Sequence, residues 1–357
     1  MNKHPYASLP QRAFWKTAVN NVDAADITGL WDPKSPLSLT DKVVTYGSCF
    51  SQRIGRALAA KGYNWLCTEQ GPADAGDLNH AYNYGIFSSR TGNIYTTSLL
   101  HQWMSWAVGH STPPDEVWEQ DGRFYDPFRP RIEPNGFASA QEVKTSRAVT
   151  IDAFRKSIEQ ADVFIFTLGL TERWRHQTGY EYPMCPGTVA GEFDGKAHVF
   201  DNMGYPDVLE GLRAAMVLMR EVNPDLKFVL TVSPVPVTAT NAGQHVIAAT
   251  MYTKSVLRVV ADALCSELDH VDYFPSYEVL ASPAFKAEFY EANQREISTA
   301  GIDRVVREFI SCLNVKFGGA GAATHVAKPT AQMPHAQKVN EDDVCEEELL
   351  NAFADKT

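Results

Sequence analysis

"KVVTYGSCFSQRIGRALAAKG", residues 42–62, decides the fold. Lys42–Tyr46 are mostly β-forming residues, so 42–47 reads as a strand. From Phe50 the pattern is helical, and Gly62 closes the helix as a C-terminal glycine does. Strand, glycine and helix follow one another with only Ser48 and Cys49 between them. Gly47 lets the chain turn sharply, and the amides of Ser48, Cys49 and Phe50 then open a helix with no carbonyl behind them. Such a corner admits two readings. It is a tight turn with a capping serine and a buried cysteine, or a place where helix-start donors and the helix dipole hold an oxyanion and activate a thiol.

The same grammar repeats along the chain. "DVFIFTLG" (162–169) is an almost unbroken apolar run, as expected of a strand buried on both faces. "KFVLTVS" (227–233) and "HVDYFPS" (270–276) are two more, and "NWLC" (64–67) is a short candidate. Helical patterns fall between them at roughly 139–160, 206–222, 244–266 and 299–313. This alternation predicts an α/β fold, a flavodoxin-like, doubly wound and mostly parallel sheet of about five strands with helices on both faces. Ligands of such sheets lie beyond the carboxyl ends of the strands. One α/β domain over 1–317 is expected. Residues 68–138 and 170–205 break the alternation, are rich in aromatics, and are expected to form cap insertions. From 318 the chain loses large apolar residues and ends in "EDDVCEEELL", which reads as a flexible acidic tail over 318–357. Within it, "EEELLNAF" has the make-up of a short docking helix.

Charge and composition exclude several classes. The net charge of −11 argues against a nucleic-acid-binding face. No apolar run is long enough for a membrane span, and the N-terminal stretch lacks the apolar core of a signal peptide. A cytoplasmic protein is therefore expected. The six cysteines form no CxxC pair, so neither a disulfide framework nor a zinc site is expected. His80, His101, His176 and His198 show no metal-binding spacing. Arg123, Tyr125 and Arg129 in "GRFYDPFRP" suit either an anion or sugar contact or an aromatic-stapled turn.

"GSCFS" (47–51) resembles the signature of the GSCFA domain family. "NYGIFSSRTGNIYT", "FTLGLTERW", "TVSPVPVTAT" and "DYFPSYEV" are similar to further pieces of a bacterial branch, covering roughly residues 5–312. The family looks like a relative of the SGNH (GDSL-type) esterases and acyltransferases. The resemblance implies that Cys49 stands where those enzymes place the serine nucleophile, with Ser48 as the alternative register. It implies oxyanion or substrate contacts from Gly47 and Phe50, from Gly92 and Asn93, and from Thr171, followed by Glu172 and Arg173. Ser233 and Thr238 would line the pocket. The SGNH Asp-x-x-His block is missing: "FYEANQREIS" puts Asn293 and Glu296 at its positions. Glu296, or His245 after the fourth strand, would then serve as base.

Two functions follow as expectations. One is an acyltransferase or ester hydrolase acting on a small molecule, sugar or glycan precursor. It would bind no cofactor, with acyl-CoA as a possible co-substrate, because thiol and thioester are close in energy. The other is a non-catalytic ligand-binding or scaffold protein on an SGNH-like frame. Neither the oligomeric state nor the acyl groups are legible in the sequence.

Overall fold

The computed structural model describes residues 4–318 and 345–356. Its elements run β1 (Val43–Gly47), α1 (Cys49–Ala60), α2 (Leu78–Ala81), α3 (Thr97–Ala107), β2 (Trp118–Gln120), β3 (Arg123–Tyr125) and α4 (Ala140–Gln160). Then follow β4 (Val163–Leu168), β5 (Glu172–His176), β6 (Glu181–Tyr182), β7 (His198–Asn202), α5 (Tyr205–Val222) and β8 (Lys227–Val232). The last are α6 (Val246–Glu267), β9 (Val271–Tyr273), α7 (Ser276–Ala281), α8 (Thr299–Phe317) and a 3-10 helix, Glu346–Lys356.

The central sheet is parallel, in the order β1-β4-β8-β9. Its side chains divide by alternation. Val44, Tyr46, Phe164, Phe166, Phe228 and Leu230 point to one face, where α3, α4, α5 and α6 cover them. Val43, Val163, Ile165 and Val229 point to the other, under α1, α7 and α8. Each fully buried Phe of the first face contributes about 2 kcal/mol from apolar burial. Both faces are apolar, which is why the strands read as continuous hydrophobic runs rather than as alternating ones.

Four strands form this sheet where about five were expected. "NWLC" makes a single bridge, Trp65 to Val43, with Val43 N donating to Asn64 O (2.9 Å) and Leu66 N to Val43 O (2.8 Å). The Trp65 indole occupies the space that Gly55 leaves between α1 and β1, and its Nε1 donates to Thr45 Oγ1 at 2.9 Å. Anchored there, the chain leaves the sheet edge after Leu66.

The stretch 68–138 is not a cap throughout. α3 lies within it, yet it belongs to the helix layer on the aromatic face, with Trp103 fully buried against Trp106 and Phe154. Trp103 and Trp106 thus serve the core. The stretch 170–205 forms an antiparallel sheet, β6-β5-β7, just beyond the carboxyl end of β4. Of the predicted tail, 319–344 lies outside the described residues. Residues 345–356 are seated on the body of the protein at the carboxyl edge of the parallel sheet, with Cys345, Glu346 and Glu347 buried. No helix among the described residues is long and apolar enough to cross a membrane.

Candidate active site at the β1–α1 corner

The corner is built by close approach of two backbones. Gly47 has φ +127°, and a Cβ there would stand 2.2 Å from Thr167 O and 2.7 Å from Thr167 N. Only a residue without a side chain lets β1 end so close to β4. Ser48 continues the ladder for one more bond, its N–H donating to Thr167 O at 3.1 Å. This corrects the expectation that the Ser48 amide is an oxyanion donor, because the sheet already engages it. The amides of Cys49 and Phe50, in the first turn of α1, have no acceptor within the helix. Phe50 sends its ring into the core between sheet and helix. Ser48 is the N-cap residue but makes no capping bond, and its buried hydroxyl has no hydrogen-bond partner among the described residues.

Cys49 begins α1 and is buried. Its sulfur meets the thiol of Cys345, and a small cavity beside it is lined by Arg53, Val235, Arg295, Glu296 and Glu348. The hydrogen bond with Cys345, and then burial, push the Cys49 thiol well above its ordinary value, against the pull of Arg295. With the C-terminal segment in place, the thiol is therefore protonated rather than activated.

Asn93 and Tyr95 converge beside it. Asn93 Nδ2 and Tyr95 Oη donate to the same oxygen, Glu346 Oε2, at 2.6 and 2.8 Å. Asn93 is oriented by Gln52 Nε2, which donates to its Oδ1 at 2.8 Å. Gly92, at φ +69°, borders the same carboxylate. One oxygen held by two neutral donors is the geometry that a developing oxyanion requires. Burial, and then the Glu346 charge, raise the Tyr95 phenol well above its usual value, so it remains a donor.

Lys254, on α6, is the buried amine of this corner. Its Nζ donates to Gly169 O at 3.0 Å, directly beyond β4. Burial lowers its pKa to about 8, while the nearby Glu347 and Cys49 charges pull it up. Glu347 is buried between Arg295 and Lys254 and takes a backbone hydrogen bond from Thr238. Burial nonetheless holds the Glu347 carboxyl above the ordinary carboxylate range.

On the far side of residues 345–353 lies a cavity of about 680 Å³. Its walls include Tyr95, Glu172, Arg173, Trp174, Glu181 and Tyr182, and Glu347, Leu350 and Phe353 of the C-terminal segment close it. That segment is thus the partition between Cys49 and the large cavity.

The remaining predicted residues fall in several places. Thr171 is fully buried, with its Oγ1 donating to Asn202 Oδ1 (2.8 Å) and 3.0 Å from Thr253 Oγ1. Glu172 lines the large cavity and accepts from Thr240 Oγ1 and from Asn241 N. Arg173 is paired with Asp201 at 2.6 Å. Ser233 directly follows β8, and its N donates to Leu168 O at 2.9 Å. Glu296 does reach the Cys49 cavity, and Asn293 Nδ2 donates to its Oε1 at 2.9 Å. His245 does not reach it: it is exposed and caps α6, with Nδ1 accepting from Ile247 N at 3.2 Å. Its position at a helix start makes it a cap, which corrects its candidacy as base. Arg129 lies away from the corner, fully buried with Asp126 (2.8 Å), and holds the core of the 68–138 stretch.

The sequence reading missed Lys254, Tyr95, Gln52, Arg295 and the Cys345–Glu347 contacts. One signal for Lys254 was present. It stands three residues before Leu257 and seven before Ala261, on the apolar face of α6.

Fold and site together define a parallel α/β protein with a cysteine at the strand–helix corner, facing paired hydrogen-bond donors. The chain belongs to the GSCFA family, which it matches over residues 42–309. Comparison with curated proteins and with solved structures finds no match. The matched span ends before the docked C-terminal segment.

Proposed function

We propose that the chain is a cytoplasmic acyl-transfer enzyme on an SGNH-type frame, with Cys49 as nucleophile. The observation that carries this reading is the convergence of Asn93 Nδ2 and Tyr95 Oη on one oxygen beside a buried cysteine at a helix start. Support for the frame comes from Glu296, which borders the cavity of the nucleophile and accepts a hydrogen bond from the exposed Asn293, the two standing at the positions of the SGNH Asp-x-x-His.

In this mechanism the neutral amine of Lys254 takes the Cys49 proton. The thiolate attacks the carbonyl carbon of a thioester of acyl-CoA type, and the carbonyl oxygen becomes an oxyanion held by Asn93 and Tyr95 in the place of Glu346. Collapse breaks the carbon–sulfur bond of the donor, whose thiolate leaves with the proton from Lys254. An acceptor hydroxyl then attacks acyl-Cys49, and transfer to it regenerates the thiol. The acceptor fits the large cavity, where Trp174, Tyr182 and Phe193 offer rings and Glu172, Arg173 and Glu181 offer polar contacts, a lining suited to a sugar or glycan precursor.

The test is release of free coenzyme A from a panel of acyl-CoA thioesters, followed by chromatography. Full-length protein and its Glu347→Gln variant, in which the partition is weakened, are both assayed. Cys49→Ala is expected to lose at least about 10³-fold, and Ser48→Ala to stay within about tenfold. Turnover that survives in Cys49→Ala, or no release from any thioester in either background, overturns the reading.

A further inference from the structure

The C-terminal segment fits its site incompletely, and the misfit points to a different occupant. Arg295 and Lys254 are both cations with little exposure, their side chains 14% and 2% accessible. The group between them is the Glu347 carboxylate. Glu347 Oε2 stands 3.6 Å from Arg295 Nη2, an ion-pair distance but beyond a hydrogen bond. Among the described residues, Nε and Nη2 of Arg295 are buried without an acceptor of good geometry, with the Cys345 and Cys49 sulfurs and this carboxylate nearby. The Thr238 hydroxyl, next to the amide that holds Glu347, is also buried and has no partner among the described residues. Buried donors left unmade are costly, and native proteins keep few of them.

We infer that this subsite is built for a phosphate group of the substrate or co-substrate, and that Glu347 occupies it as an intramolecular competitor. A carboxylate offers two oxygens. A tetrahedral phosphate offers three or four, enough to take both edge donors of Arg295 side by side while also accepting from Thr238 and Lys254. Departure of Glu347 leaves the Arg295 guanidinium, which cannot shed its charge, uncompensated, so the open site needs an anion in its place. The remaining contacts of the segment are ones a ligand would have to displace. Arg131 Nη1 donates to Cys345 O at 3.2 Å, and Arg295 Nη1 to Glu348 Oε1 at 3.4 Å. The inference concerns the same site as the proposed acyl transfer, yet it rests on charge and hydrogen bonding and does not need Cys49 to react.

Calorimetric titration of the full-length chain with inorganic phosphate tests it, because phosphate cannot be turned over. Glu347→Gln is expected to bind phosphate about tenfold tighter than the unaltered chain, since the competitor's charge is gone. Arg295→Lys in that background, which keeps the charge and loses the fork, is expected to weaken binding about tenfold, and Arg295→Gln further. Unfolding temperatures of the variants establish that each is folded. Competition then separates the sources: displacement of phosphate by free coenzyme A assigns the group to an acyl donor, and displacement by glucose 1-phosphate assigns it to a sugar acceptor. Phosphate affinity that is the same in all these variants overturns the inference, as does acetate binding as tightly as phosphate.

Discussion

Gly47→Ala is expected to remove about 4 kcal/mol of stability, much of what a domain possesses. Two costs add. The backbone at φ +127° is one that residues with a Cβ rarely adopt, and the new methyl would lie 2.2 Å from Thr167 O. That oxygen belongs to the β4 backbone and already accepts from Ser48 N, so it cannot swing aside as a side chain would. β1 would have to separate from β4 at its carboxyl end and carry Ser48 and Cys49 with it. Urea denaturation followed by far-UV circular dichroism checks this. A midpoint equal to that of the unaltered chain would show that the corner is not built on this approach.

Lys254→Met is expected to lower thioester turnover by about 10²–10⁴-fold, the range for loss of a positioned base. Methionine fills the apolar slot on α6 beside Leu257, so the packing is largely kept. The pH profile carries the sharper test. The amine can take a proton from Cys49 only when neutral. Its pKa of about 8 places that change just above neutrality, and turnover in the unaltered chain should rise as pH passes through it. The rise should vanish in Lys254→Met. Glu296→Gln, which removes the other acid–base candidate beside Cys49, should cost less than about tenfold. The reverse ranking would move the base to Glu296.

Much of the frame was legible because buried parallel strands announce themselves. β1, β4 and β8 are runs in which both side-chain directions meet apolar layers, and α4, α5, α6 and α8 lie within a few residues of their predicted spans. The 170–205 sheet was not readable as strands. Its members are short and carry charge on both directions, as in Glu172–His176, because they wall a cavity rather than a closed core. The site was half legible. Gly47, Cys49 and Asn93 sit in recognisable turns, and position alone suggests their use. Arg295 lies in a loop with no periodicity to mark it. Glu346 and Glu347 come from more than 250 residues after Asn93, and an acidic run at a chain end ordinarily marks a solvated segment. Their burial follows from the cations and neutral donors awaiting them, which only the folded chain brings together. His245 shows the opposite error. Topology put it near the strand ends, but the first position of a helix turned its ring to the backbone instead.

Where the acyl group goes decides whether Cys49 is the nucleophile. Full-length Glu347→Gln protein would be mixed with an acyl-CoA thioester, quenched in acid within seconds, digested and mapped by mass spectrometry. An acyl mass is expected on the peptide containing Cys49, absent from Cys49→Ala and present in Ser48→Ala. Acylation found on Ser48, or coenzyme A released with no acyl group passing through Cys49, would contradict it.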